Sequence, residues 1–515
     1  MKPTRLISGF LTVGVWTLAS RVFGFARDIM LAAILGAGPV AEAFLIAFAL
    51  PNMFRRFFAE GAFNTAFVPI FSKKVEAGED AEAFARDAFT GLATILILFT
   101  LLAQVFMPWL VLAMASGFTE DARFPLAVGY GRIVFVYILF ISLAALLSGV
   151  LNAIGRFAAA AAAPVLLNII LIGVLFLAGA GDADGARVGT LLSWAAVIAG
   201  IAQLALVWIA AHRAGYPLRP VRPKWTPELK RLAVIAAPAA LAGGVVQVNL
   251  LVGRQVASFF DGAIAWLSYA DRLYQLPLGV VGIAIGVVLL PDLSRRLRAE
   301  DTEGGRHAFN RAAEMCLALT VPSAVAFVAI PMPLVSALFQ RGAFGADDTA
   351  ATAAALAVYA IGLPAFVLQK VLQPLFFARE DTRSPFHFAL VALVVNALLA
   401  IGLAPVIGYL SAAIGTTVAG WAMTWLLWRG SRQMGEAALL DDRFRHRLPR
   451  IVIASLGMGV CLIAAQVALG PVLALEAWRI LALALLVSLG IASYFGIGAG
   501  IGAFAMSDFR SAVRR

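Results

Sequence analysis

Residues 88–115 read AFTGLATILILFTLLAQVFMPWLVLAMA, without one charged side chain. Wound as an α-helix, these 28 residues extend about 42 Å, longer than the roughly 30 Å hydrocarbon core of a bilayer. A run of this kind reads as a transmembrane helix. Working outward from it, the same pattern recurs along the whole chain. Fourteen spans are expected, at 7–35, 40–71, 88–115, 126–152, 163–181, 188–211, 230–260, 263–293, 309–340, 349–378, 386–404, 407–428, 451–470 and 476–504. Several exceed 25 residues, which implies tilt or extension past the bilayer. The first carries Arg21 and Arg27 and lacks a signal-peptide cleavage site, so it is expected to persist as a span.

Composition agrees. Of 515 residues, 62% are hydrophobic and 13% charged, and the mean hydropathy is +0.91. Soluble domains are about 25% charged, so a soluble enzyme, a secreted protein and a disordered chain are excluded. Cys316 and Cys461 lie in apolar runs, and His212, His307, His387 and His446 are scattered. Neither a disulfide framework nor a metal site is expected, and no cofactor.

The net charge of +11 is explained by topology before nucleic acid. With the N-terminus inside, 28 of the 40 Lys and Arg fall in cytoplasmic segments, and only Arg123, Arg187, Arg341 and Arg479 fall in outer loops. The positive-inside rule then places both termini in the cytoplasm. Glu120, Asp121, Asp347 and Asp348 read as solvated charges of those outer loops.

An internal repeat is also present. Pro69-Ile70-Phe71-Ser72-Lys73-Lys74 is answered 222 positions later by Pro291-Asp292-Leu293-Ser294-Arg295-Arg296. Arg156 and Pro164 are answered by Arg379 and Pro385 at shifts of 223 and 221. The expected fold is therefore an all-α polytopic membrane protein with two pseudo-symmetric six-helix lobes, 1–222 and 223–440. Residues 441–515 add two helices and a cytoplasmic tail. Parallel repeats of this type are a transporter architecture.

Eight cations remain inside spans: Arg21, Arg27, Arg55, Arg56, Arg132, Arg254, Arg272 and Lys370. Arg132 can snorkel to the interface, and Arg254 less readily. Four deep arginines cost on the order of 10–14 kcal/mol, so they should face a wet cavity or an anionic partner. Counted from the outer ends of their spans, Arg27 and Arg272 lie about 12 and 14 Å deep, and Arg21 and Arg55 about 21 and 22 Å. Arg21, Gly24, Arg27 and Asp28 share one face of the first span. On the second, Asn52, Arg55, Arg56 and Glu60 cluster, with Arg56 and Glu60 an i,i+4 pair. Gly24 and Pro51 are candidate hinges. Asp28, Glu60 and Asp271 can neutralise three of the arginines, which still leaves a net positive pocket. Guanidinium forks suit phosphate and pyrophosphate, so the expected substrate is anionic.

These residues resemble a known family. Ser20-Arg21-Val22-Phe23-Gly24-Phe25-Ala26-Arg27-Asp28 is similar to the signature of the MurJ (MviN) lipid II flippases. So are Leu50-Pro51-Asn52-Met53-Phe54-Arg55-Arg56, Ala59-Glu60-Gly61-Ala62-Phe63, Ala66-Phe67-Val68-Pro69, and Tyr269-Ala270-Asp271-Arg272-Leu273 with Pro277 and Gly279. The resemblance covers essentially the whole chain. It implies a multidrug/oligosaccharidyl-lipid/polysaccharide (MOP) exporter fold in a bacterial cytoplasmic membrane, moving lipid II from inner to outer leaflet by alternating access through a central cavity. The family's cavity arginines fall on Arg21, Arg27, Arg55 and Arg272. Ser20, Asp28, Glu42, Asn52, Arg56, Glu60 and Asp271 would support them. Glu42 stands where the family usually has Asp, and Gln275 where some members have Glu. The 230–260 and 386–404 spans carry no Asp or Glu, which counts against a sodium site built from acids there. Coupling by membrane potential or another ion stays open.

The implied partners are lipid II, membrane lipids, a coupling ion and cell-wall synthesis proteins, with no nucleic acid, and the chain is expected to be monomeric. One rival is an exporter of another polyprenyl-linked glycan; a drug exporter would more plausibly bury acids than arginines. A membrane glycosyltransferase would need a catalytic carboxylate at the outer face, and a division scaffold would need no buried arginines.

Overall fold

The computed structural model describes residues 3–56, 62–180, 184–284, 293, 295–296, 299 and 301–503. Within them the regular structure is helical, and the apolar run at 88–115 lies inside one long helix. The first half holds α1 (Pro3–Leu35), α2 (Pro39–Arg55), α3 (Ala62–Ala77), α4 (Ala81–Met114), α5 (Arg123–Val134), α6 (Tyr137–Ala153), α7 (Ala158–Gly179) and α8 (Gly185–Arg213). Then come α9 (Pro227–Ala257), α10 (Ala263–Ala284), α11 (Thr302–Ala329), α12 (Pro331–Phe339), α13 (Ala346–Phe377), α14 (Arg383–Ile407) and α15 (Leu410–Ser431). The chain closes with α16 (Asp442–Ala468), the short α17 (Gly470–Ala474) and α18 (Arg479–Gly500).

Polar residues at helix starts supply partners for N–H groups that have none inside the helix. Asp80 accepts from Ala83 N at 3.3 Å, Thr226 from Leu229 N at 3.2 Å, Asp301 from Gly304 N at 2.8 Å and Asp441 from Phe444 N at 2.7 Å. Between these starts the helices are apolar. Ten of the described helical stretches are long and apolar enough to cross a membrane. In the stretch at Arg383–Ile407 only 17% of the apolar window is buried against protein, so the rest of that surface faces lipid. The protein is an all-α, multi-pass membrane protein.

Some expected spans are interrupted. The 126–152 run divides at Phe135 and Val136, where Val136 N bonds Ile133 O and Ile138 N bonds Phe135 O in tighter i,i+3 turns. The 309–340 run divides at Ile330, ahead of Pro331. The 40–71 run is described as α2 and α3, and Glu60 lies outside the described residues. The Pro291 block of the repeat falls largely outside them as well. Helix α8 lies on α6 and α7, and α15 lies on α13 and α14.

Several turns place a residue at positive φ. Gly36 and Gly262, before α2 and α10, have φ of 60° and 80°. Gly155 after α6 has φ 76°, and the corresponding turn after α13 places Glu380 at φ 61°. A side chain there opposes the preferred backbone by about 1–2 kcal/mol, partly offset by the larger entropy glycine loses on folding. Glu380→Gly is therefore expected to stabilise by about 0.5 kcal/mol, read as a small rise in a thermal-shift midpoint in detergent. Gly155→Glu should lower that midpoint.

Two compact units form, Met1–Ala265 and Trp266–Arg515. In the first, α1 packs on α7, α2 on α5, and α9 on α3 and α4. Helix α9 belongs to this first unit. In the second, α11 packs on α13 and α16, and α18 on α16 and α12. The last long helices thus belong to the second compact unit, through a core of Ile330, Leu334, Ala454, Met458, Leu462 and Leu486.

Candidate functional site: an arginine-bearing face of the first helix

Helix α1 runs unbroken through Gly24, and its polar face meets α7. Asn168, the one polar side chain of α7, reaches across to it. Asn168 Oδ1 accepts from Arg27 Nη1 at 3.0 Å, and Asn168 Nδ2 donates to the Ser20 carbonyl at 3.0 Å. A Cβ on Gly24 would touch Asn168 Nδ2 at 3.4 Å, so the glycine opens the space this amide occupies. Arg27 also donates to Asp28 Oδ1 through Nε at 3.0 Å and Nη2 at 2.6 Å. The pair is well enclosed, with side chains 11% and 8% exposed. Asn168 thus ties Arg27 to the Ser20 turn beside Gly24, and with Asp28 it leaves Arg27 fixed and largely neutralised.

Arg21 is different. Six residues before Arg27 on α1, it is exposed, and among the described residues it forms no ion pair. On α2, Asn52 Nδ2 donates to Phe48 O at 2.7 Å, close to where Pro51 removes one N–H from the helix ladder. Arg55 is half-buried at the end of α2, and Arg56 is exposed just past it. In the second unit, Arg272 is exposed on α10, and the neighbouring Asp271 accepts a hydrogen bond from Gln275.

Glu42 is placed away from these groups. It is 1% exposed at the start of α2, with Oε2 on Arg123 Nη1 at 2.9 Å and Oε1 on Ile264 N at 3.0 Å. Both of its oxygens are taken up by protein donors. Arg123, expected in an outer loop, is buried. The Asp121 carboxylate bonds it and is held below its usual range by that guanidinium. Asp348 is likewise more than a solvated charge, since it accepts from Trp266 Nε1 at 2.8 Å and from Gly345 N at 3.1 Å. Glu120 and Asp347 are exposed.

Two residues that hold these side chains in place escaped the sequence reading. Asn168 had a signal, a lone amide in an otherwise apolar span. Arg123 had none, because its partner Glu42 is 81 positions away.

Solved structures resemble this fold. An inward-facing multidrug-resistance MATE family transporter of the MOP superfamily aligns with a TM-score of 0.63 and 14% identity, over 81% of this chain and 95% of that one. A structure titled lipid II flippase MurJ, inward closed conformation, aligns with a TM-score of 0.79 and 24% identity, over 98% and 100%. The fold is shared with both of these structures. A family model described as lipid II flippase MurJ matches residues 31–489. A probable lipid II flippase MurJ of Rhizobium meliloti (strain 1021) is 45% identical over 99% of this chain and 96% of its own length. The lipid II flippase MurJ of Burkholderia cenocepacia is 36% identical over 84% of each. The chain belongs to the lipid II flippase MurJ family.

Proposed function

We propose that this protein is a flippase, a transporter with no covalent chemistry, that moves lipid II from the inner to the outer leaflet of a bacterial cytoplasmic membrane. The family assignment sets the class, and Arg21 is the observation that carries the reading to a site. An exposed guanidinium at mid-helix in an apolar bundle is costly unless an anion meets it. Arg27, held in place by Asn168 and Asp28, presents a second guanidinium one and a half turns along the same helix. In this reading Arg21, Arg27, Arg55 and Arg272 receive the pyrophosphate, and rocking of two six-span lobes exposes the headgroup outside. Fourteen spans with both termini in the cytoplasm follow from the charge count. Ser20, Asn52, Arg56, Glu60 and Asp271 support the pocket, and Gly24 and Pro51 are its points of flexure. The polyprenyl tail stays in lipid near the two C-terminal helices, and the chain works as a monomer. An inside-negative potential drives the anionic headgroup outward, with about 2.3 kcal/mol per charge per 100 mV.

The test is lipid II accessibility at the outer face after depletion of the protein, with rescue by wild type or by Arg21→Ala. Wild type should restore outward lipid II and Arg21→Ala should not. Unchanged outward lipid II on depletion rejects the reading.

A narrower expectation concerns Asn168. Its two hydrogen bonds hold Arg27 and the Ser20 turn of α1, and a bond to a charged group is worth about 1.5–3 kcal/mol. Asn168→Ala should therefore lower lipid II delivery about tenfold or more, while Asn168→Gln recovers part of it. Equal delivery by Asn168→Ala and wild type, at matched membrane levels, would remove Asn168 from the site.

A further inference from the structure

Between α5 and α6 the chain leaves the α-helix for two residues, Phe135 and Val136, inside one apolar span. Lipid offers no partner to a backbone group freed there, so such a break survives only where protein supplies one. Val136 N turns to Ile133 O at 3.3 Å. In a continuous helix it would meet the Arg132 carbonyl, which instead accepts from Gln104 Nε2 of α4 at 2.8 Å. Gln104 is the one amide side chain in the run at 88–115. A short stretch of tighter turns within a longer helix often marks a functional position.

The rings on either side show what the break achieves. Residues two apart on an α-helix point to opposite sides, so Phe135 and Tyr137 of an unbroken helix could not both face one neighbour. Here both meet α2. The ring centre of Phe135 lies 5.8 Å from that of Phe54, and that of Tyr137 lies 6.3 Å from that of Phe48. Phe99 of α4 closes the first contact, 5.0 Å from Phe54 and 5.7 Å from Phe135. Behind the second, Tyr137 Oη donates to Gln203 Oε1 at 3.2 Å, and Gln203 Nε2 donates to Ala163 O at 2.9 Å. Phe135, Tyr137 and Gln203 are all buried.

Burial alone does not call for a broken helix, since a continuous one leaves no carbonyl to satisfy. Bracing a weak helix does. Phe48 and Phe54 stand before and after Pro51, which removes one N–H from the ladder of α2 and lets the helix bend there. The two contacts grip α2 on both sides of that point, and Arg55 directly follows Phe54. We infer that Gln104 and Phe135 are positioning residues: Gln104 keeps the break open, and Phe135, seated with Phe99 on Phe54, sets Arg55. Every one of these residues belongs to the first unit, so the brace travels with its lobe and leaves rocking free. The inference rests on the proposed role of Arg55 in binding pyrophosphate.

The experiment titrates lipid II into the full-length protein in lipid nanodiscs and reads the half-saturating concentration. Gln104→Met keeps the length of the side chain and loses the donor; Phe135→Leu keeps an apolar group and loses the ring. Each should weaken binding about tenfold, the loss of one charge-assisted hydrogen bond. In an Arg55→Ala protein, either change should weaken binding further by less than about twofold, because the guanidinium it positions is already gone. Losses of the same size in both backgrounds would mark a general weakening of the fold and overturn the inference, as would wild-type binding by either variant. If Arg55→Ala itself binds like wild type, Arg55 leaves the pocket and the inference falls with it. A second measurement needs no lipid II. In a background with Cys316→Ala and Cys461→Ala, spin labels at Arg56→Cys and Ile198→Cys report on the end of α2. Their distance distribution should broaden in Gln104→Met and in Phe135→Leu, and an unchanged one overturns the inference. If wild type does not expose lipid II in cells, the proposed function fails, and the label distances still decide whether the end of α2 is braced.

Discussion

Arg27→Ala is expected to abolish rescue of cells depleted of the protein, with lipid II delivery falling at least about a hundredfold. Two charge-assisted hydrogen bonds to a pyrophosphate, each worth about 1.5–3 kcal/mol, account for a factor of that order. The structure also requires a control. Arg27 is an ion-pair partner of Asp28, whose side chain is 8% exposed, so removing the guanidinium takes a charge partner from a buried carboxylate and destabilises the first unit. The double change Arg27→Ala with Asp28→Asn removes that penalty. It should restore the thermal-shift midpoint toward wild type and leave delivery abolished. Arg27→Lys keeps the charge but not the fork that serves Asn168 and Asp28 together, so intermediate delivery is expected. Normal delivery by the Arg27→Ala, Asp28→Asn protein would show that this guanidinium only balances Asp28.

The balance between Arg27 and Asp28 shows what could be read without coordinates. Helix faces follow from spacing, so Arg21, Gly24, Arg27 and Asp28 could be grouped from 100° per residue alone; which of them the neighbouring helix meets could not, and it is Gly24 and Arg27 that lie against Asn168. The apolar run at 88–115 became α4, which begins earlier, at Ala81, because Asp80 caps it at a point the apolar pattern does not reach. The break at Ile330 carried a local sign in Pro331. The break at Phe135 and Val136 carried none, since neither residue disfavours a helix by covalent geometry.

Pairings across the sequence were harder. Asp121 and Arg123 are two positions apart and look like a solvated loop, yet Arg123 is buried. Its burial depends on Glu42 and on the turn at Asp261, 81 positions before it and 138 after it. Charge counting treats every outer-loop cation alike, because orientation depends on the sum and not on the partners. The same blindness extends to the basic stretch at 429–450 and to Glu314, which pairs with Arg443 and Arg447.

Among those residues the largest stability effect is expected, from Glu314→Ala. Glu314, with a side chain 10% exposed on α11, accepts from Arg447 Nη1 at 2.6 Å and Arg443 Nη2 at 3.2 Å on α16, and from Arg311 on its own helix. Arg311 continues to Asp441, which caps α16 through Phe444 N at 2.7 Å. Asn310 completes the joint, donating to Leu439 O at 2.9 Å and accepting from Asp441 N at 3.0 Å. Removing the Glu314 carboxylate takes one shared acid from three guanidiniums. Loss of one partner from a buried ionic cluster costs about 3–5 kcal/mol, and the partial exposure of Arg443 argues for the lower end. A chain of this size does not unfold in one step, so the loss should appear locally, as trypsin cleavage at Arg432 and Arg443 together with a lower first melting transition. Glu314→Gln keeps the shape and should lose less. Acid should act in the same direction. Burial pushes the Asp441 carboxyl up, but the Phe444 N–H and Arg311 outweigh it and hold it below the usual range. Its stabilisation is therefore present at neutral pH and is lost as the pH falls through that lowered value. A Glu314→Ala protein with wild-type resistance to trypsin would mean that the apolar packing of Phe444 and Leu448 on α11 suffices to hold α16 in place.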